Sequence, residues 1–286
     1  MFTYIGYRIL EFIVITTPYP VTYLIAEFGA RLWLLSIPSV KVAKKNVSRV
    51  LGIDASSKKA KRLVIAIFVN WAKNIADFLK HSVISGEKLK KRVEIRGLDN
   101  LDSALKKGKG VVIFTAHIGN FEWGACRIAI EGYDIWGVSL VRKSKLTNKF
   151  FESKRLSKGL NTLYINRMLN VFRILKENGI VAIPSDWDPT GLAAKPFTFF
   201  GKKAHFPTGA LQIALKSGAE LVPSFIWRKG KYNHIQVIDR PLKLIREGDK
   251  ETLIKENMEM VLRIMEKYIS SHISEWEMFH DIWEEC

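Results

Sequence analysis

The stretch from Gly110 to Gly124 constrains this chain more than any other. It reads Gly-Val-Val-Ile-Phe-Thr-Ala-His-Ile-Gly-Asn-Phe-Glu-Trp-Gly. Val111 to Phe114 is a short unbroken apolar run bounded by turn residues, the pattern of a strand buried on both faces. Gly119-Asn120 is a helix-start signal, with Glu122 and Trp123 falling in the first turn. Strand, turn and helix in this order put His117 just past the carboxyl end of a strand, where open α/β sheets collect their chemistry. A carboxylate five residues on suggests a base and its orienter. One ring nitrogen of His117 would donate to Glu122, and the other would stay free to take a proton from a substrate hydroxyl. The competing reading is an ordinary loop or core histidine. The order His-Ile-Gly-Asn-Phe-Glu is not the His-Glu-x-x-His of a zinc helix, and no nearby His or Cys cluster offers further ligands, so no metal is implied.

The same alternation of apolar runs and helical periodicity continues along the chain. Strands are expected at 93–97, 134–141, 180–183, 220–228 and 232–238. Helices are expected at 60–81, 98–107, 122–131, 170–177, 208–217 and 251–271. Residues 143–160 are strongly basic, with Phe150 and Phe151 giving them an apolar side. Cys126 and Ser185 lack a base at motif distance and are poor nucleophiles. Strands alternating with helices predict an α/β fold, with a central, mostly parallel sheet flanked by helices. No phosphate-cradling glycine motif is present.

The N-terminal residues differ in character. The longest stretch there without charge runs from Phe12 to Ala26 and contains Pro18 and Pro20. It is short for a spanning helix, and the prolines interrupt it. No basic cluster opens it, and no small-residue cleavage site follows, so it is no ordinary signal peptide. Two short helices, roughly 3–17 and 20–36, lying on or dipping into a bilayer, suit it. The alternative is a helical hairpin packed on the main domain. Lys41, Lys44, Lys45 and Arg49 follow at once, as beside an anchor on an anionic cytoplasmic face. The expected organisation is a membrane-anchoring helical segment over residues 1–40 and an α/β domain over 41–286. The net charge of +17 asks for an anionic partner: a membrane surface, an acidic substrate or carrier, or nucleic acid. The two cysteines, Cys126 and Cys286, form no disulfide framework, and Cys286 makes no prenylation box.

Four blocks in order resemble one family. His117-Ile-Gly-Asn-Phe-Glu122 resembles the His-x4-acid box of glycerolipid acyltransferases. Val141-Arg142, Asn148 and Arg155 resemble the Tyr-Arg…Asn…Arg block of the late, lauroyl or myristoyl, lipid A biosynthesis acyltransferases. Asp186-Trp-Asp188 resembles that branch's Asp-x-Asp loop. Phe199-Phe-Gly201, with Pro207-Thr-Gly-Ala210, resembles its Phe-Phe-Gly and Pro-Thr-Gly run. Val141 stands where tyrosine is usual, and the tail from Trp276 to Trp283 lacks the family's arginines. The second departure bears on the acceptor and leaves acyl transfer untouched.

The resemblance implies a membrane-associated O-acyltransferase that moves a fatty acyl group to a hydroxyl of a lipid A precursor or related glycolipid or lysophospholipid. His117 and Glu122 would be catalytic. Asn120, Arg142, Arg155, Asp186, Phe199 and Gly201 would bind substrate, with Asp186 locking Arg155 and the aromatics 187, 197, 199 and 200 lining an acyl slot. The donor would be a thioester of acyl carrier protein or coenzyme A, with no cofactor, and the acceptor an anionic lipid. The enzyme would work on the cytoplasmic side of the inner membrane, without nucleic acid. The rival reading is a non-catalytic basic protein binding anionic membrane or nucleic acid. It gives no reason to set His117 and Glu122 at a strand end.

Overall fold

A computed structural model describes residues 2–34, 38–191 and 194–284. The end of the expected second helix and Cys286 lie outside the described residues. The strands are β1 (Val93–Arg96), β2 (Val111–Thr115), β3 (Ile135–Ser139), β4 (Asn161–Tyr164), β5 (Ile180–Pro184), β6 (Ala194–Phe199), β7 (Lys202–Pro207), β8 (Glu220–Lys229) and β9 (Asn233–Ile238). Seven of them form one sheet in the order β1-β9-β8-β2-β5-β3-β4. Every neighbouring pair is parallel except β8 and β9, which are antiparallel. β2 lies at its centre, hydrogen-bonded to β5 on one side and β8 on the other.

The helices are α1 (Phe2–Thr16), α2 (Tyr19–Trp33), α3 (Ser39–Leu51), α4 (Lys58–Leu79), α5 (Gly86–Arg92), α6 (Leu98–Leu105), α7 (Phe121–Ile130), α8 (Lys145–Leu156), α9 (Val171–Lys176), α10 (Gly209–Ser217) and α11 (Lys250–Ser271). Successive strand residues point to opposite faces, so β2 serves two cores. Val112 and Phe114 join a cluster with residues of α3, α4, α10 and α11. Val111 and Ile113 join a second with residues of α5, α6 and α7. This two-sided burial explains why the strand is apolar throughout.

Several elements depart from the expected set, α5 and α8 among them. The loop expected before Phe197 is instead the antiparallel hairpin β6–β7, outside the main sheet. The basic run after residue 40 is helix α3, and β4 was hidden in a mixed polar segment. The N-terminal hairpin is docked, with α2 packed along α4 and Tyr23 fully buried. Its Tyr23 hydroxyl donates to Asp77 at 2.7 Å. Lys80 donates to the Thr17 carbonyl at 2.7 Å, and buried Lys154 of α8 pairs with Glu11 of α1. No described helix is long and apolar enough to cross a membrane. The outer faces of α1 and α2 nevertheless expose Phe12, Leu24 and Phe28 by about two-thirds.

Candidate active site

The site sits where β2 and β5 end. Thr115 and Pro184 are register partners, and the Ser185 N–H donates to the Thr115 carbonyl at 2.8 Å, carrying the ladder one step past the strands. One residue further on, the two chains present His117 and Asp186 to each other. His117 Nδ1 lies 2.7 Å from Asp186 Oδ1, and the His117 backbone N–H donates to Oδ2 at 2.9 Å. An ionised carboxylate only accepts, so Nδ1 carries a proton and, in the neutral imidazole, Nε2 keeps its lone pair. Nε2 has no protein partner among the described residues. The imidazole is 27% exposed, whereas Asp186 is fully buried. Burial alone would disfavour the imidazolium, but the charge and hydrogen bond of Asp186 outweigh it and hold the His117 pKa above its ordinary value. Burial would also raise Asp186, but His117 and the remaining donors hold it below the usual carboxylate range.

The expected contact between Glu122 and His117 is not made. Glu122, in the first turn of α7, faces α8 and takes a two-pronged pair from Arg155, whose Nε donates to Oε2 at 2.9 Å and whose Nη2 donates to Oε1. Arg155 and Glu122 are 9% and 19% exposed. Burial pushes Glu122 toward its neutral form, and the Arg155 charge and hydrogen bonds overcome this and keep its pKa low. The two carboxylates have thus exchanged the partners expected for them, since Asp186 orients the histidine and Glu122 locks Arg155. A helical first turn directs the Glu122 side chain across to a neighbouring helix, out of reach of the loop that precedes it.

Turn chemistry fixes the histidine loop. Gly119 has φ +58°, and a Cβ there would meet the Ile226 carbonyl oxygen at 2.1 Å, so only glycine fits. Asn120 was expected to bind substrate. Its Oδ1 instead accepts the Trp123 N–H and caps α7, while its Nδ2 donates to Asp77 at 3.3 Å. The C-terminal segment supplies the other wall. The Gly119 N–H donates to the Glu275 carbonyl at 2.9 Å, the Glu277 N–H donates to the His117 carbonyl at 2.7 Å, and the Trp276 indole N–H donates to Asp186 Oδ2 at 2.9 Å. The Glu277 carboxyl is held by Asn74 Nδ2 at 2.6 Å, and burial pushes its pKa up to about 8.

Among the expected acyl-slot aromatics, Trp187 alone makes a ring contact with His117, at 6.5 Å, and Phe121 makes another at 5.3 Å. The His280 ring stacks on Trp187 at 3.8 Å. Phe199 is fully buried against Phe206 and Trp283, and Gly201 forms the β6–β7 turn, so both serve the hairpin. Arg142 lies over the Phe151 ring at 3.7 Å. Its backbone is clamped by Asn148, which accepts the Arg142 N–H at 2.9 Å and donates to the Arg142 carbonyl at 2.8 Å. Burial and the neighbouring Arg155 both lower its pKa. The remaining sulfur and hydroxyl are poor nucleophiles. Burial drives the Cys126 thiol pKa far up, and Ser185 is buried with its hydroxyl donating to the Ile183 carbonyl at 3.0 Å.

A base with a free nitrogen, an ionised orienter and no adjacent nucleophile is an arrangement for activating a hydroxyl on the substrate. The description of bacterial lipid A biosynthesis acyltransferases matches residues 1–285. The chain belongs to that family. It is similar to the phosphatidylinositol mannoside acyltransferase of Mycobacterium tuberculosis strain H37Rv, 25% identical over 248 residues that cover 84% of this chain and 76% of the relative. The enzyme of that name from Mycolicibacterium smegmatis is 23% identical over 193 residues, covering 65% of this chain and 62% of the relative. This family member is an acyltransferase. Sequence reasoning paired His117 with Glu122, whereas the structure pairs it with Asp186. Parallel pairing of 111–115 with 180–184 carried that information, because it sets Asp186 opposite His117.

Proposed function

We propose that this enzyme transfers a fatty acyl group from a thioester of acyl carrier protein or coenzyme A to a hydroxyl of a glycolipid with an anionic head group. The observation that carries the reading is the Asp186–His117 pair with Nε2 free. His117 Nε2 takes the proton as the acceptor oxygen bonds to the thioester carbonyl carbon. Asp186 stabilises the imidazolium that forms. The C–S bond of the tetrahedral intermediate then breaks, and the departing thiolate receives the proton from Nε2. Arg142, stacked and partly desolvated, supplies positive charge for an anionic head group or the oxyanion. The acceptor class draws support from the names of the relatives and from the net charge of +17.

The deciding assay incubates acyl thioester with glycolipid acceptors and follows the acylated product by mass spectrometry. Wild type forms product, and folded His117→Ala forms none. Turnover retained by that variant would remove the mechanism.

The N-terminal helices hold the enzyme on the cytoplasmic face of the inner membrane by lying in its surface. Exposed Phe12, Leu24 and Phe28 support this, because scattered single apolar side chains are ordinary but large ones repeated along both helices are not. Deleting residues 1–40 would also strip Tyr23 from Asp77, so point changes are the cleaner test. Phe12→Ser, Leu24→Ser and Phe28→Ser together are expected to shift the protein from anionic vesicles to the supernatant with its melting temperature unchanged. Undiminished vesicle binding contradicts the assignment.

A further inference from the structure

The C-terminal segment after α11 touches the reacting dyad at an atom that no strand or helix of the sheet domain supplies. Asp186 accepts three hydrogen bonds, two from His117 itself and the third from the Trp276 indole at 2.9 Å. Without that third donor, the carboxylate would be held by His117 alone, with one donor on each oxygen, and Oδ2 would lose the one partner that does not move with the histidine loop. The indole N–H and the His117 backbone N–H converge on Oδ2, which leaves Oδ1 aimed at the imidazole. Trp276 is itself immobilised, being 1% exposed and paired through its backbone with Ile118 in an antiparallel bridge. The bonds from Gly119 to Glu275 and from Glu277 to His117 flank that bridge, so the segment runs as a short extra strand along the histidine loop.

We infer that Trp276 is a positioning residue of the acyl-transfer site, its indole N–H setting the rotation of the Asp186 carboxylate and, through it, the aim of His117 Nε2. This rests on the reading of His117 as the base. The inference separates two roles that a buried tryptophan can have. A packing role needs only the ring. A positioning role needs the N–H, because one donor fewer on a buried carboxylate changes both its orientation and the hydrogen bond it accepts from Nδ1–H. Trp283 provides the contrast within the same segment. It is also buried, and its indole donates to Asn46 Oδ1 at 2.9 Å, tying the segment to α3 with no contact to the dyad.

Two variants of the full-length chain remove the Trp276 N–H: Trp276→Phe, and replacement of Trp276 by its sulfur isostere benzothienylalanine through amber suppression, which preserves the ring's shape. Trp283→Phe is the control. The substrate-free readout is the low-field proton resonance of His117 Nδ1–H, assigned by its loss in His117→Ala. The kinetic readout is kcat against KM for acyl transfer. Both Trp276 replacements are expected to move or broaden the resonance and to lower kcat by about 10- to 100-fold, the worth of one hydrogen bond to a charged group, with KM unchanged. Trp283→Phe is expected to lower the melting temperature while leaving the resonance and kcat as in wild type. The inference is overturned if the isostere keeps both the wild-type resonance and kcat, or if Trp283→Phe disturbs the resonance as much as the Trp276 variants do. Because the resonance needs no substrate, it also separates this outcome from failure of the base assignment, which the activity of His117→Ala decides.

Discussion

Asp186 and Glu122 reach the same edge of the sheet by different routes, and each meets one basic side chain. Asp186 comes off the end of β5 and pairs with an imidazole that is 27% exposed and keeps one nitrogen unbonded. Glu122 comes from the first turn of α7 and pairs with a guanidinium that is 9% exposed and closed on it by two hydrogen bonds. The first pair has capacity left for a substrate. The second spends its donors on its own carboxylate and ties α7 to α8, the helix beside Arg142. Similar ingredients therefore give, on the reading proposed above, a proton-transfer pair in one place and a brace in the other, and what separates them is whether the basic side chain keeps an acceptor nitrogen free of protein partners.

Substitution can break this contrast. Asp186→Asn is expected to lower kcat by about 10²–10⁴-fold, since the amide neither stabilises imidazolium nor enforces the tautomer. Because Asp186 is what raises the His117 pKa, the rising limb of the pH–rate profile should also move to lower pH. A profile unchanged in position would show that the limb belongs to another group.

Glu122→Gln should act mainly on stability. It leaves the buried Arg155 charge uncompensated, at a cost of roughly 3 kcal/mol, and is expected to lower the melting temperature by roughly 5–10 °C. Transfer by the remaining folded enzyme should fall far less than in Asp186→Asn. Kinetic losses as deep as those of Asp186→Asn, in a protein that melts like wild type, would reverse the two roles.

A smaller effect separates the pairs from the third carboxyl beside them. Burial raises Glu277 to about 8 from an unfolded value near 4.5. A carboxyl with a raised folded pKa contributes stability that is complete below its unfolded pKa and is lost as pH rises through the folded one. Glu277→Gln, which stays neutral, should therefore melt close to wild type at pH 5 and a few degrees above it at pH 9. Asp186 and Glu122 have depressed pKa values, so their contributions run the other way, present at neutral pH and lost toward acid. Parallel melting curves for wild type and Glu277→Gln across this range would remove Glu277 as a titrating group.

These differences follow from what a sequence can display. The α/β order was legible because β2, β5 and β8 are buried on both faces and their apolar runs stand out against polar flanks. The hairpin was not, because β6 carries Pro196 and only two apolar aromatics, Phe197 and Phe199, and β7 opens on Lys202 and Lys203. α3 hid behind its lysines. The histidine was legible from strand, turn and glycine chemistry. Its partner was not, because nearness in sequence favoured Glu122 while strand register, a long-range property, selects Asp186. Trp276 carries no periodic signal, since its position depends on a single antiparallel bridge to Ile118.

That bridge has a consequence for timing. Chains are synthesised from residue 1 onward and fold largely in that order. His117 and Asp186 are synthesised before Trp276, which lies 90 positions beyond Asp186. On the acyl-transfer reading proposed above, the site is complete only once the segment carrying Trp276 has docked on the histidine loop.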